Sequence, residues 1–219
     1  MPFRNRREAG RVLAGRLAAY RGDDVVLLAL PRGGVPVAYE VALALDAPLD
    51  VIVVRKLGVP VQPELGMGAI GEDGVRVLNR EIIDLAGVRG ADIAAVEARE
   101  RAEIERRSRA FRGDRPRLSL AGRTAIIIDD GIATGSTARA ASQVARAHGA
   151  RRVILATPVA PPSAVGELRS CADDVVVVET PEPFSAIGQW YSDFAQTPDR
   201  EVADLLHDAS LRTAPRPPT

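Results

Sequence analysis

Residues 126–137 read IIIDDGIATGST: three β-branched apolar residues run into two carboxylates, then a small-residue turn, and Ser136 opens an Ala-rich segment. That order predicts a buried strand, a tight loop and a helix start. A loop entering a helix exposes unpaired backbone N–H groups at the positive end of the helix dipole, which makes it a seat for a phosphate. Thr134, Ser136 and Thr137 add hydroxyl donors. Asp129 and Asp130 stand at the rim of that seat, where a second anion would be repelled. They are better matched to hydroxyl groups, such as the two of a ribose ring, beside a hydrated Mg²⁺. A phosphate cradle with a diol clamp points to a ribose 5-phosphate. The sequence has no GxxxxGK[ST] pattern, so it is not an ordinary P-loop. The competing structural reading is a strand-to-helix turn whose aspartates only cap the helix.

Composition sets the frame around this stretch. A chain of 219 residues with 46% apolar content can bury a substantial core, most simply as one domain with attached segments. Its 29 acids balance 29 bases, so no global field draws nucleic acid or membrane. A single cysteine, Cys171, excludes an intramolecular disulfide and a Cys-cluster metal site. No apolar run is long enough to span a bilayer, and MPFRNRREAG lacks the apolar stretch of a secretion signal, so a cytoplasmic protein is expected. Of the 29 bases only Lys56 is lysine. Where arginine fills every tolerant surface site, a surviving lysine suggests a place that needs a compact ammonium, although chance survival is the alternative.

The rest of the chain alternates. Residues 4–20 place Ala9, Val12, Leu13, Leu17 and Tyr20 at helical spacing. Val25–Leu30 reads as a strand buried on both faces, PRGG (31–34) leads into a helix with Val35, Ala38, Val41, Ala42 and Leu45 inward, and Leu49–Val54 is the next strand, ending in RKLG (55–58). Between 59 and 80, prolines and glycines interrupt the pattern, and 66–71 and 75–78 flank Glu72-Asp73-Gly74 like a hairpin. A charged helix is expected over 91–111, with Glu97–Arg101, Glu103–Arg107 and Glu105–Arg109 pairs. Its interleaved charges favour a solvated face over a nucleic-acid patch. Val153–Thr157 and Val175–Glu179 are further buried strands, joined by a helix near 163–170. The sum is a doubly wound, mainly parallel α/β sheet whose ligands sit beyond the strands' carboxyl ends, where the Pro31, Arg55 and Asp129 loops converge. Phe184, Trp190, Tyr191 and Phe194 form either a satellite core or, for Trp190 and Tyr191, a stacking face for a flat base. The Pro-rich segment 209–219 reads as a disordered tail.

IIIDDGIATGST closely resembles the phosphoribosyl pyrophosphate (PRPP) signature of type I phosphoribosyltransferases, and its DD-x-x-ATG spacing is most similar to the adenine phosphoribosyltransferase version. The resemblance implies that fold, with a core over about 25–178, a hood from about 1–22 and 180–197, and a flexible loop over about 55–71, all within one domain spanning 1–208. It implies that Asp129 and Asp130 hold the ribose hydroxyls and, through substrate or water, Mg²⁺. Ala133, Thr134, Gly135, Ser136 and Thr137 would take the 5-phosphate. PRGG resembles the family's pyrophosphate loop, so Arg32, Gly33 and Gly34 would face the diphosphate, with a cis non-proline peptide among them. RKLG resembles the start of the flexible loop, which makes Lys56 a diphosphate contact; Arg32, Lys56 and Asp130 are the implied catalytic residues, and Glu64 or Glu72 candidate acids or bases. The segment PFSAIGQWYSDFAQ is similar to the C-terminal part of a bacterial group of phosphoribosyltransferases of unassigned acceptor. One departure is Ala133, where hypoxanthine-guanine enzymes keep an Asp, and poor use of 6-oxopurines is expected.

Two functions follow from these readings. One is transfer of a phosphoribosyl group from PRPP to a small nitrogen acceptor, a nucleobase first among them. The other is a non-catalytic PRPP or nucleotide sensor on the same fold. Neither calls for nucleic acid or membrane as a partner, and the family allows a homodimer. A hydrolase is disfavoured because no G-x-S-x-G occurs.

Overall fold

The computed structural model describes residues 2–213. In chain order its elements are α1 (Arg6–Arg16), β1 (Val25–Ala29), α2 (Gly34–Leu45), β2 (Leu49–Val51), β3 (Val54–Val59), β4 (Gln62–Gly71), β5 (Arg76–Leu78), α3 (Arg80–Leu85), α4 (Gly90–Arg112), β6 (Thr124–Ile128), α5 (Ser136–Ala147), β7 (Arg152–Val159), α6 (Pro162–Leu168), β8 (Asp174–Glu179) and α7 (Asp199–Thr213). Five strands form a parallel sheet in the order β2-β1-β6-β7-β8. The continuous apolar runs are explained by two cores, one per face. Leu27, Ala29, Ile126, Ile128, Ile154 and Ala156 join a core with α1, α2 and α7. Their neighbours Val26, Leu28, Ala125, Ile127, Val153 and Leu155 join another with Ala138, Ala141 and Val144 of α5 and Leu168 of α6. Each fully buried Leu or Ile on either face contributes about 1.5–3 kcal/mol. The register sets Ala29 of β1 opposite Ile128 of β6, and Ile128 opposite Ala156 of β7, so the loops after β1 and β6 leave the sheet side by side.

A second sheet, antiparallel and ordered β3-β4-β5, stands apart from the first. The segment expected as one strand over Leu49–Val54 is divided between the two: β2 stops at Val51, and Val54 opens β3. The stretch expected as a flexible loop is therefore the β3–β4 hairpin. Its register shifts around Gly58, where a side chain would run into the Pro63 backbone. β4 and β5 flank Glu72–Gly74 as anticipated, with Asp73 at φ 54.

The hairpin's far end is rooted in buried charge. Arg112 closes α4 and donates from Nε to Asp50 Oδ1 (2.9 Å), from Nη1 to Glu72 Oε1 (2.5 Å) and from Nη2 to the Val51 carbonyl (3.1 Å). All three charged residues are buried, so the network joins α4, β2 and the β4–β5 turn in one knot. Along α4, Glu103 meets Arg107 (2.6 Å) as its spacing implied, whereas Glu97 pairs across to Arg76 (3.1 Å).

Three further expectations change. Val12 was assigned inward and is 43% exposed. α3, capped by Asn79 accepting from Ile82 N, had no periodic signal behind it. The tail is helical to Thr213: Ala209 is buried in the main core, and 214–219 lie outside the described residues. The segment around Phe3 meets the 190–192 stretch where a hood was expected. Phe3 N donates to the Trp190 carbonyl (2.7 Å) and Ser192 N to the Phe3 carbonyl (2.8 Å), over a satellite core containing Phe3, Ala9, Val159 and Tyr191.

Candidate active site

Asp129 and Asp130 follow the last residue of β6 directly, at the carboxyl edge of the parallel sheet. The Asp129 amide donates to the Ala156 carbonyl (3.3 Å), and its own Oδ1 accepts from the Asp130 amide (2.9 Å), which fixes the side chain against the strand end. Beyond them, Ile132 N returns to the Val159 carbonyl (2.9 Å). Gly135, at φ 73, turns the chain into α5. The helix start carries no side-chain cap and no acid in its first turn, and Ala133, Thr134, Ser136 and Thr137 are exposed. Thr134 Oγ1 and Ser136 Oγ lie 3.3 Å apart. An uncapped helix start with exposed hydroxyls beside it is an arrangement suited to a phosphate.

The PRGG turn packs into the same edge. The Pro31–Arg32 peptide is cis. A Cβ on Gly33 would overlap Asp130 Oδ2, and one on Gly34 would stand 2.5 Å from the Ile128 carbonyl oxygen. The two loops therefore touch where only glycine fits. Arg32 is partly exposed and pairs through Nη1 with Asp199 Oδ1 (3.3 Å) at the start of α7.

Lys56 lies on β3, opposite Ala69. It borders two clefts. One, of about 570 Å³, also touches Pro31 and Thr137; the other, of about 640 Å³, touches Thr134 and Ser136. The structure thus brings Lys56 beside Pro31 and Thr137 in one cleft and beside Thr134 and Ser136 in the other, whereas Arg32, Gly33 and Gly34 border neither.

Other expectations are redrawn. Asp130, expected at the rim of the seat, is 8% exposed and bound to Arg6 Nε through Oδ2 at 2.7 Å. Its backbone carbonyl accepts from the Tyr191 hydroxyl (2.5 Å). Tyr191 is consequently a packing residue, stacked on Phe194 at 5.0 Å, and offers no open face to a base. Burial, first, and the nearby Asp130 charge raise its pKa, so the hydroxyl stays a donor. Trp190 is half-buried against the same cluster. Glu72 is spent on Arg112 and cannot act as an acid or base at the clefts. Asp129 differs from its neighbour: removal from water, and then the Asp130 carboxylate, hold its pKa well above the ordinary range.

Sequence reasoning missed Arg6. Its guanidinium lies 3.9 Å from the Phe194 ring centroid, donates to the Ala195 carbonyl (2.7 Å) and neutralises Asp130. The signal was faint, one arginine among many and 124 positions from its partner. A smaller cleft of about 220 Å³ lies on that side, bordered by Arg6, Arg7, Gln196 and Thr197. Among the described residues no group of three or more His, Cys, Asp or Glu could hold a metal alone, and Asp130 already carries a guanidinium. Of the two aspartates, Asp129 is the one left to meet a Mg²⁺.

Comparison with known proteins gives the family and the fold. The phosphoribosyl transferase domain family matches residues 5–189. The Mycobacterium tuberculosis H37Rv protein named "Putative phosphoribosyl transferase Rv0571c" is 56% identical over 207 residues, covering 94% of this chain and 47% of its own. The chain thus spans about half the length of the curated relatives it matches. Among solved structures, TT1426 from Thermus thermophilus superposes with a TM-score of 0.89 at 41% identity, over 95% of this chain and 99% of that one. The AQ2163 protein from Aquifex aeolicus, at 11% identity and a TM-score of 0.51 over 92% and 85% of the two chains, shares the fold alone. No helix among the described residues is long and apolar enough to cross a membrane.

Proposed function

The chain belongs to the phosphoribosyl transferase domain family, and on that premise we propose that it transfers a 5-phosphoribosyl group from PRPP to a nitrogen acceptor, a nucleobase being the first class to test, with release of diphosphate. The observation that carries the reading is the contact of the two loops: Gly33 and Gly34 lie against Asp130 and the end of β6, beside an uncapped helix start and within reach of the hairpin that bears Lys56.

In this reading the 133–137 loop holds the 5-phosphate and Asp129 accepts from the ribose hydroxyls. Asp130, neutralised by Arg6, orients the PRGG turn. The C1–O bond to diphosphate breaks, the acceptor nitrogen forms the new C1–N bond, and the nitrogen's proton passes to solvent. The sugar is cationic on the way, so the chain's task is to fix its position and neutralise the leaving group. Lys56 and Arg32 supply positive charge for that, and Mg²⁺, when bound with PRPP, supplies more. The β3–β4 hairpin would close over the site and exclude water. The acceptor would enter from the side of Arg6, Gln196 and Thr197, where the lining is polar. Ala133 leaves no carboxylate for a 6-oxopurine.

Calorimetric titration with PRPP, followed by turnover with adenine, hypoxanthine, guanine, uracil and orotate, tests the proposal. Binding with diphosphate release on one acceptor supports it. Tight PRPP binding with no turnover on a broader amine panel would favour the sensor, and preferred use of hypoxanthine or guanine would overturn the role given to Ala133.

A further inference from the structure

The cleft between the PRGG turn and the cradle has a wall that no motif accounts for. Arg99 and Arg107 of α4 line it opposite Arg55 and Lys56 of β3, and among the described residues Glu100 is the carboxylate in that lining. Glu100 is almost enclosed and organises the group: Oε2 accepts from Arg55 Nε (2.8 Å) and Oε1 from Arg99 Nε (3.1 Å). Both arginines hold it below the ordinary carboxylate range against the opposing pull of burial. Arg107 stands a turn or two further on, steadied by Glu103 at 2.6 Å and one-third exposed. Three guanidinium groups held by Glu100 and Glu103 in a concave site, with Lys56 beside them, focus a positive potential beyond what scattered surface charges produce. Pro31 and Thr137 border this cleft, so the positive wall faces the space between the two loops.

We infer that α4 supplies one side of the diphosphate site: Arg107, together with Arg55 and Arg99 set in place by Glu100, binds the diphosphate of PRPP and retains it after transfer. The inference rests on the phosphoribosyl-transfer reading for the identity of the polyanion, and on the cleft alone for its location. Guanidinium groups suit it, because a planar fork can take two phosphate oxygens at once where an ammonium takes one. Lys56 from the hairpin and the arginines from α4 then approach the leaving group from different elements. Inorganic diphosphate becomes a strong inhibitor competing with PRPP.

Titrating inorganic diphosphate and PRPP, each with Mg²⁺, into the wild-type chain and three α4 variants tests this. Arg107→Gln should weaken both ligands by at least about tenfold, the loss expected for one charge-assisted contact. Arg107→Lys should recover part of it, and Arg107→Gln should lessen the salt dependence of binding. Arg106→Gln is the matched control: Arg106 shares Glu103 with Arg107 at 2.8 Å but does not border the cleft. It should bind both ligands as the wild type does. Equal losses in the Arg106 and Arg107 variants would overturn the inference in favour of a general charge effect. Intact diphosphate binding in Arg107→Gln, with wild-type PRPP binding normal, would overturn it while the functional reading stood. A wild type that binds diphosphate through Arg107 but never PRPP would keep the anion site and overturn the transferase reading. Binding of neither ligand would overturn both.

Discussion

The cradle and the hairpin border the same clefts from differently built elements. Asp129 and Asp130 extend a strand with parallel neighbours on both sides and buried side chains on both faces. Lys56 rides on a small antiparallel sheet with a shifted register and a tip at Val61 that is 91% exposed. The cradle is held by backbone bonds, glycine contacts and the Arg6 pair; the hairpin is held at its root by Arg112 and along its length by the Arg55–Glu100 pair and by Leu57, Met67 and Ile70 in the main core. On the proposed reading, the groups that keep a fixed geometry stand on the parallel sheet, and Lys56, which would approach and withdraw, stands on the smaller antiparallel one.

The strongest way to break this contrast is at the hairpin's root. Arg112→Leu leaves Asp50 and Glu72 buried without a counter-ion, and urea unfolding should show a loss of about 3–5 kcal/mol. A loss below about 1 kcal/mol would mean the hairpin is fastened elsewhere. Next comes Lys56→Ala. It should lower PRPP turnover by roughly 10- to 100-fold, the worth of one charged contact to the leaving group, with the thermal midpoint unchanged and partial recovery in Lys56→Arg. A parallel fall in stability would turn the lysine into a packing residue and erase the distinction between the two regions. On the cradle side, Gly34→Ala pushes a methyl to 2.5 Å from the Ile128 carbonyl oxygen. The expected cost is about 1–3 kcal/mol by denaturation, because a strand end cannot yield as a loose side chain would.

The smallest effect sharpens the comparison within the cradle. The raised pKa of Asp129 means that its charged form is disfavoured in the folded chain. Above that folded value the cost to stability is full; as pH falls through it the carboxyl protonates and the cost shrinks, vanishing only below the ordinary carboxylate value of the unfolded chain. Asp129→Asn keeps the oxygen that accepts from Asp130 N. It should raise stability near neutral pH by on the order of 1 kcal/mol, shrink that gain toward acid, and weaken PRPP binding. Thermal unfolding across pH together with calorimetry checks both halves, and a variant less stable than wild type at neutral pH would contradict the assignment.

The parallel sheet was legible because a strand buried on both faces has no room for a polar alternate, so VVLLA and TAIII announce themselves. The strand, turn and helix start of 126–137 were legible because their signals are local: apolar run, small-residue turn and helix start follow one another in the chain. The hairpin was not, since its prolines and glycines, which allow the register shift at Gly58, read as loop punctuation. Arg6 was hidden for a different reason. Its role comes from meeting Asp130, Phe194 and Ala195, and nothing in its own neighbourhood separates it from Arg4 or Arg7. The aromatic cluster at 184–194 left two readings open, and only the bond from the Tyr191 hydroxyl to the Asp130 carbonyl decides for packing.

The Arg6 contact also has a bearing on synthesis. Arg6 and the Ala195 carbonyl that receives it are 189 positions apart. At about 5–20 residues per second, the ribosome needs roughly 10–40 s to make the second after the first. For that interval the first helix has been made but its seat has not. Asp130 emerges part-way through, before Phe194 and Ala195 are there to steady its counter-ion. The parallel sheet can begin to assemble on the nascent chain, but the charge balance of the diacid waits for its final quarter. Slowing translation between Asp130 and Ala195 should therefore lengthen the exposure of an unfinished cradle, whereas slowing it earlier should not.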